Sequence, residues 1–227
     1  MFGDVELTPE RACIIRDVAV ISDLHLGIEN ALQEMGIAIP RLQVKEIVKN
    51  VKKIINKYGI VELVIAGDLK HEFGKNLPYE REDVREFVEK VLEFGVKLEI
   101  VKGNHDNFLT SIISKFGLEI KDALEVQGFC IVHGHRDVEC KKIVMGHEHP
   151  VVKVKIHGAV YSYPCYLFAD SKILVLPAFS KLMPGCDVLS REFLSPILKK
   201  VKKIEIYAIE KDVLYLGTID ELLSALS

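Results

Sequence analysis

Between Val18 and Gly117 the chain alternates short apolar runs with amphipathic stretches that end at glycine. Val18–Ser22, Glu62–Ala66 and Val96–Val101 are the apolar runs. A first helix carries Val44, Ile47, Val48, Val51, Ile54, Ile55 and Tyr58 on one face and stops at Gly59. A second carries Val84, Phe87, Val88, Val91 and Leu92 and stops at Gly95. A shorter one around Ile112, Ile113 and Phe116 stops at Gly117. Strand–helix–strand units of this kind are joined by right-handed crossovers, so this half is expected to form a largely parallel sheet.

After Gly117 the pattern changes. Short strands are expected at Phe129–Val132, Ile143–Met145, Val151–Ile156, Lys172–Leu176, Ile204–Ile209 and Val213–Leu216, with one helix from Ile219 to Leu226. No helix here is long enough to cover a sheet on both sides, so this β-rich half is expected to pack face to face on the first sheet. With 227 residues the chain fits one large domain or two small ones; its 49% hydrophobic content is enough for a substantial core, and a single domain over 1–227 is the expectation taken forward.

The net charge of −3 gives no sign of a protein that coats nucleic acid. The start, MFGDVELTPERACIIRDV, lacks a basic region followed by a long apolar stretch, so no secretory signal is expected. No apolar run approaches the roughly 18 residues of a membrane span. Cys13, Cys130, Cys140, Cys165 and Cys186 are scattered and form no CxxC pair. They read as small buried hydrophobes in a reducing cytoplasm, not as a disulfide framework or a thiolate zinc site.

Five of the apolar runs end in residues able to bind metal. Val18–Ser22 runs into Asp23 and His25, and Glu62–Ala66 into Gly67 and Asp68. Val96–Val101 leads through Lys102 into Gly103, Asn104, His105 and Asp106. Phe129–Val132 runs into His133, Gly134 and His135, and Ile143–Met145 into Gly146, His147, Glu148 and His149. Neighbouring strands deliver their ends to one rim, where open α/β sheets bind ligands. Glycine beside four of the clusters lets the backbone turn sharply and approach closely. A mixed oxygen and imidazole set suits Mn, Fe, Zn or Ni better than Ca or Mg. Any one of these short motifs alone is common by chance, the GNHD run excepted; their order and placement after strands give the set its weight.

With those residues in view, the sequence resembles the calcineurin-like metallophosphoesterase superfamily, whose pattern is D-x-H, G-D, G-N-H-[DE], a lone His, then G-H-x-H. Every element is present from Asp23 to His149. The resemblance implies an α/β fold: a two-sheet β-sandwich flanked by helices, in four layers, αββα. It also implies two divalent cations, with manganese expected and iron, nickel or zinc as alternatives. Asp23, His25 and His149 would hold the first, Asn104, His133 and His147 the second, and Asp68 would bridge them. His105 would act near the substrate as general acid or transition-state stabiliser, and Asp106 would hydrogen-bond its imidazole. The expected chemistry is in-line attack on phosphorus by hydroxide, from water whose pKa the cations lower from ~16 toward ~7.

The segments ISDLHLGIENALQEMGIAIPRLQ and LPAFSKLMPGCDV look narrower still, similar to archaeal phosphoesterases related to the SbcD nuclease subunit and to bacterial ligase-associated repair phosphoesterases. This favours a phosphodiesterase, with nuclease action on DNA or RNA as one form. A phosphomonoesterase or small-nucleotide hydrolase, and a non-catalytic interaction module on the same fold, are the alternatives. Leu176–Val188 reads equally as a pocket wall or as a strand and a Pro/Gly turn. His71 and His135 are candidate substrate contacts, with a plain loop histidine and an outer contact to the metal ligands as their blander readings. His157 reads as structural. Lys199, Lys200, Lys202 and Lys203 read as a solvated edge that discourages sheet-to-sheet aggregation.

Overall fold

The structure, a computed structural model, describes residues 5–226. The first and last residues of the expected 1–227 domain, and the start of the segment read for a secretory signal, lie outside them.

The first sheet runs in the order β1 (Val5–Leu7), β2 (Cys13–Ile15), β3 (Val18–Ile21), β4 (Glu62–Ala66), β5 (Lys97–Val101) and β6 (Ile120–Lys121). From β3 to β6 neighbouring strands are parallel, and the β1–β2–β3 pairs are antiparallel. The crossovers contain α1 (Ile28–Glu34), α2 (Gln43–Tyr58), α3 (Pro78–Glu93) and α4 (Thr110–Ile113). Gly59 ends α2 in the left-handed region at φ 65, as its place in the sequence requires.

Side chains in β3–β5 alternate between two cores. Ala19, Ile21, Leu63, Ile65, Leu98 and Ile100 pack under the helices with Val44, Val51, Ile54, Phe87 and Val91. Val18, Val20, Val64, Ala66 and Val101 face the other way, against Phe129, Ile131, Val144, Tyr166 and Leu174 of the second sheet. A strand covered on both faces has no polar face to show, which is why these runs read as continuously apolar.

The second sheet contains β7 (Leu124–Val126), β8 (Phe129–Val132), β9 (Ile143–Met145), β10 (Pro150–Ile156), β11 (Ala159–Ala169), β12 (Ile173–Val175), β13 (Cys186–Asp187), β14 (Ile204–Ile209) and β15 (Val213–Thr218). Its outer face is covered by a third core, to which Ile219 of α5 (Ile219–Leu226) and Leu198 contribute. Helices, sheet, sheet and a thin outer layer make the expected α/β two-sheet sandwich. Among the described residues no helix is long and apolar enough to cross a membrane.

Three differences from the sequence reading have physical causes. Strand β11 was not expected, because Pro164 interrupts its pattern. Pro164 stands where the strand changes partners: residues 159–164 pair with β10, and those from Cys165 onward with β12 and β14. Strands β1 and β2 are only three residues each, too short to show a period. The cysteines were expected to be free, yet Cys130 and Cys140 are joined, with Cα atoms 6.3 Å apart, because the chain after β8 folds back before entering β9. This pairing removes Cys130 and Cys140 from the grounds for a reducing compartment. Lys200 and Lys203 of the basic run pair with Asp137 and Glu205 at the surface, in keeping with a solvated edge.

Glu10 fastens the β1–β2 turn to α2. Its buried carboxylate accepts from Tyr58 at 3.0 Å and Lys57 at 3.2 Å, and lies 2.8 Å from Lys53 Nζ. Burial alone would raise its pKa, but Lys53, Tyr58 and Lys57 outweigh it and hold the group at about 2, below its ordinary 4.5. The stability it contributes is therefore present above pH 4.5 and lost as pH falls toward 2. Glu10→Gln is expected to cost about 1–2 kcal/mol at pH 7 and to flatten this part of the acid limb in chemical denaturation. An unchanged pH profile would show that the contact contributes nothing.

Candidate metal centre

The carboxyl ends of β3, β4 and β5 are in register: Ile21 lies beside Ile65, and Ala66 beside Val101. In the facing sheet, Val132 lies beside Met145 across the parallel pair β8–β9. The five polar clusters thus leave two packed sheets at one common edge.

Close packing there forces unusual backbone. Asp23 (φ 58), His25 (φ 47), Asp68 (φ 52), His147 (φ 74) and His149 (φ 46) all occupy the left-handed region. For non-glycine residues this costs roughly 1–2 kcal/mol each, strain that the surrounding fold must overcome. Gly103 and Gly146 are held to glycine for a different reason. A Cβ on the first would overlap the Asp68 carboxylate, and one on the second would overlap Ser22 Oγ and the Asp23 carboxylate.

Two donor groups result. In the first, His149 Nε2 is 3.1 Å from Asp23 Oδ1 and 3.3 Å from His25 Nε2. In the second, His133 Nε2 lies 3.0 Å from Asn104 Oδ1, 3.2 Å from His147 Nδ1 and 3.2 Å from Asp68 Oδ2. The same Asp68 oxygen is 3.7 Å from His25 Nε2, so it lies between the groups. Ligands about 2.1 Å from a cation at tetrahedral or octahedral angles stand roughly 3.0–3.4 Å apart, so the donor spacing fits transition-metal binding.

The tautomers fit as well. His133 Nδ1 donates to the Ala66 carbonyl at 3.0 Å, which leaves Nε2 to face the donor cluster. Burial lowers the pKa of His25 to about 3 and of His147 to about 4, keeping both imidazoles neutral as coordination requires. Burial also acts to lower His133 and His149, but Asp68 holds the first up at about 9 and Asp23 raises the second. Burial pushes Asp23 up, yet His149, His133 and His25 keep it below the usual carboxylate range.

His105 borders both groups. Its backbone N–H donates to Asp68 Oδ1 at 2.9 Å, and its Nε2 is 4.0 Å from Asp68 Oδ2. Its Nδ1 is hydrogen-bonded to the His71 carbonyl, so Nδ1 carries the proton. Asp106, expected to make that bond, does not. Its buried carboxylate accepts from the backbone N–H groups of Gly103 (2.8 Å), Asp68 (2.9 Å), Leu69 (2.9 Å) and Lys70 (3.3 Å). It fastens the loop after β5 to the loop after β4, and it shapes the site through backbone instead of touching the imidazole.

The His71 ring stands near the first group, with Nδ1 3.4 Å from His25 Nδ1, and with His25 and His105 it forms a third set of close donors. The His135 ring is 5.3 Å from that of His133, outside either group. Sequence reasoning missed Gln43, Glu80 and Arg11. Gln43 Nε2 donates to the Leu24 and His25 carbonyls and to Ser180 Oγ, steadying the first loop. Its signal was available, since a polar residue in register with Ile47 and Val51 stands on the apolar face of α2. Glu80 accepts from the backbone N–H groups of His71 and Glu72 and pairs with the buried Lys70, steadying the loop that bears His71. Nothing in the local sequence marks Glu80 or Arg11.

Comparison with known proteins agrees with this geometry. The calcineurin-like phosphoesterase family model matches residues 17–187. No curated protein sequence matches the chain. Among solved structures, the nuclease MPE of Pseudomonas putida is similar with a TM-score of 0.69 at 18% identity, over 93% of this chain and 94% of that one. The E. coli phosphoesterase YfcE is similar with a TM-score of 0.44 at 15% identity, over 88% of this chain and 97% of that one. The first likeness shows a shared fold. The family uses divalent metals, and two sets of His and Asp donors stand ready for them here. By the match over residues 17–187, the chain belongs to the calcineurin-like phosphoesterases and is a hydrolase acting on ester bonds.

Proposed function

We propose that the protein hydrolyses phosphodiesters with two divalent cations, manganese first among them, and that its substrate is a nucleic acid. The observation that carries this reading is the place of Asp68, whose Oδ2 is 3.2 Å from His133 Nε2 on one side and 3.7 Å from His25 Nε2 on the other. Asp23, His25 and His149 would hold one cation, Asn104, His133 and His147 the other, and Asp68 would be shared. When bound, the cations neutralise phosphoryl charge and acidify water. His105 offers Nε2 to the substrate because Nδ1 is committed to the His71 carbonyl. Asp106 keeps the two loops together, and His71 and His135 border the space where substrate enters. The SbcD-like segments support a nuclease, as does the nuclease activity named for the P. putida protein that shares this fold.

The test compares an aryl phosphodiester, an aryl phosphomonoester and single-stranded DNA, each with the manganese-loaded protein. Diester and DNA turnover well above monoester turnover is the expected result. The reverse order would make the protein a phosphomonoesterase. Absence of turnover with manganese, iron, nickel and zinc alike would leave a non-catalytic module.

A further inference from the structure

A cavity of about 290 Å3 opens beside the first donor group, with His149 in its wall. Arg11 and Lys181 line it, and no carboxylate does. Carboxylates outnumber Lys and Arg by 33 to 30 in the chain, so a hollow with two cations and no acid runs against the background. Neither cation has a carboxylate partner among the described residues. Arg11 is held instead by neutral groups: its Nη1 donates to the carbonyls of Ala178 (2.9 Å) and Ser180 (3.2 Å). That leaves Nη2 and Nε of the guanidinium fork to donate elsewhere.

The same contacts tie the cavity to the centre. Phe179 and Ser180 donate their backbone N–H groups to the carbonyls of Ser22 and Asp23 at 2.8 and 3.2 Å. Arg11 therefore braces the strip that borders the first donor group, and the strip places Lys181 at the cavity mouth. The remaining wall includes Pro150, Pro164, Met183 and Pro184 beside Ser162. A cationic end next to proline and methionine side chains has the character of a nucleotide site, and the volume lies near the lower end of small-ligand pockets, roughly 300 Å3.

We propose that this cavity takes the phosphate next to the scissile one in a single-stranded polynucleotide, held by Arg11 and Lys181, with the attached sugar and base against the proline-rich wall. This rests on the phosphodiesterase reading for the position of the scissile group. Such a subsite gives a polynucleotide an extra ion-pairing contact that an aryl diester with a single phosphate lacks. It also explains how a chain with net negative charge would hold a polyanion: Arg11 and Lys181, neither paired with a carboxylate among the described residues, stand together in one hollow.

Two measurements separate this proposal from the reading beneath it. The first is binding of a fluorescent 12-mer of single-stranded DNA to full-length protein in chelator, which needs no turnover. Lys181→Ala changes an exposed side chain and is expected to weaken binding about 5–10-fold. The slope of log K against log salt should fall in magnitude by about 0.7 for one lost phosphate contact on a single strand. Arg11→Lys keeps the charge but loses the fork, and should weaken binding by a similar factor. The second measurement is turnover of the aryl diester by the manganese-loaded protein, which Lys181→Ala should leave within about 2-fold of wild type. Inorganic phosphate and a mononucleotide serve as competitors. Displacement of the 12-mer by a mononucleotide at equal phosphate concentration would assign the cavity to small nucleotides and overturn the polynucleotide proposal. Unchanged DNA affinity and salt slope in both variants would overturn the subsite itself. An equal loss of aryl diester turnover in Lys181→Ala would make Lys181 a general support of the centre. If wild type turns over no ester, the phosphodiesterase reading fails, while the binding comparison still decides whether the hollow holds DNA.

Discussion

Asp68→Asn is expected to lose bound metal and esterase activity together, with turnover down by on the order of 10³-fold, beyond the 10–100-fold typical of outer partners of a metal site. The substitution keeps shape and removes charge. Oδ1 still accepts the His105 N–H, now made at 2.9 Å, so the loop after β5 keeps its anchor. Where Oδ2 stood between His133 and His25, a neutral amide replaces the carboxylate, and the two proposed cations would lose the negative charge that offsets their repulsion. Metal content after dialysis, thermal stability and turnover should be measured on one preparation. A metal-loaded, active variant would remove Asp68 from the bridging role. Retention of one cation per chain would assign it to a single donor group.

The relation between sequence and site varies along the chain. β4 and α2 were readable because burial of both sheet faces leaves an unbroken apolar run, and burial of one helix face leaves a 3.6-residue period. The donor residues were readable for a related reason. A strand ends where its apolar run ends, so residues next to five such ends had to reach one rim. Sequence could not show which contacts form at that rim. The family resemblance paired Asp106 with the His105 imidazole, but adjacent side chains at a tight turn point apart, and the Asp106 carboxylate turned inward to four backbone amides. The His71 carbonyl took the vacant role, and a carbonyl leaves no mark in a sequence. Arg11 and Ala178 meet across 167 positions, a contact no local pattern encodes. Strand β11 was hidden because Pro164 is a strand breaker in general and, at this change of partners, is tolerated.

His105→Ala is expected to lower turnover about 10²–10⁴-fold, the range for a positioned acid–base group, while metal content stays near normal. The structure separates the two readouts. What His105 gives to the donor cluster is its backbone N–H, bonded to Asp68 Oδ1, and alanine keeps that bond. What alanine removes is the ring, whose Nδ1 is occupied by the His71 carbonyl and whose Nε2 is 4.0 Å from Asp68 Oδ2 at the border of the centre. If the ring at that border acts on the leaving oxygen, as proposed, its loss should weigh most on substrates with poor leaving groups. An aryl diester, which departs readily, should suffer least, and DNA, whose leaving alkoxide needs a proton, should suffer most. Equal loss of metal and turnover would make His105 a structural part of the cage. Equal loss on both substrates with metal retained would assign it to charge stabilisation at phosphorus, with no proton delivered to the leaving oxygen.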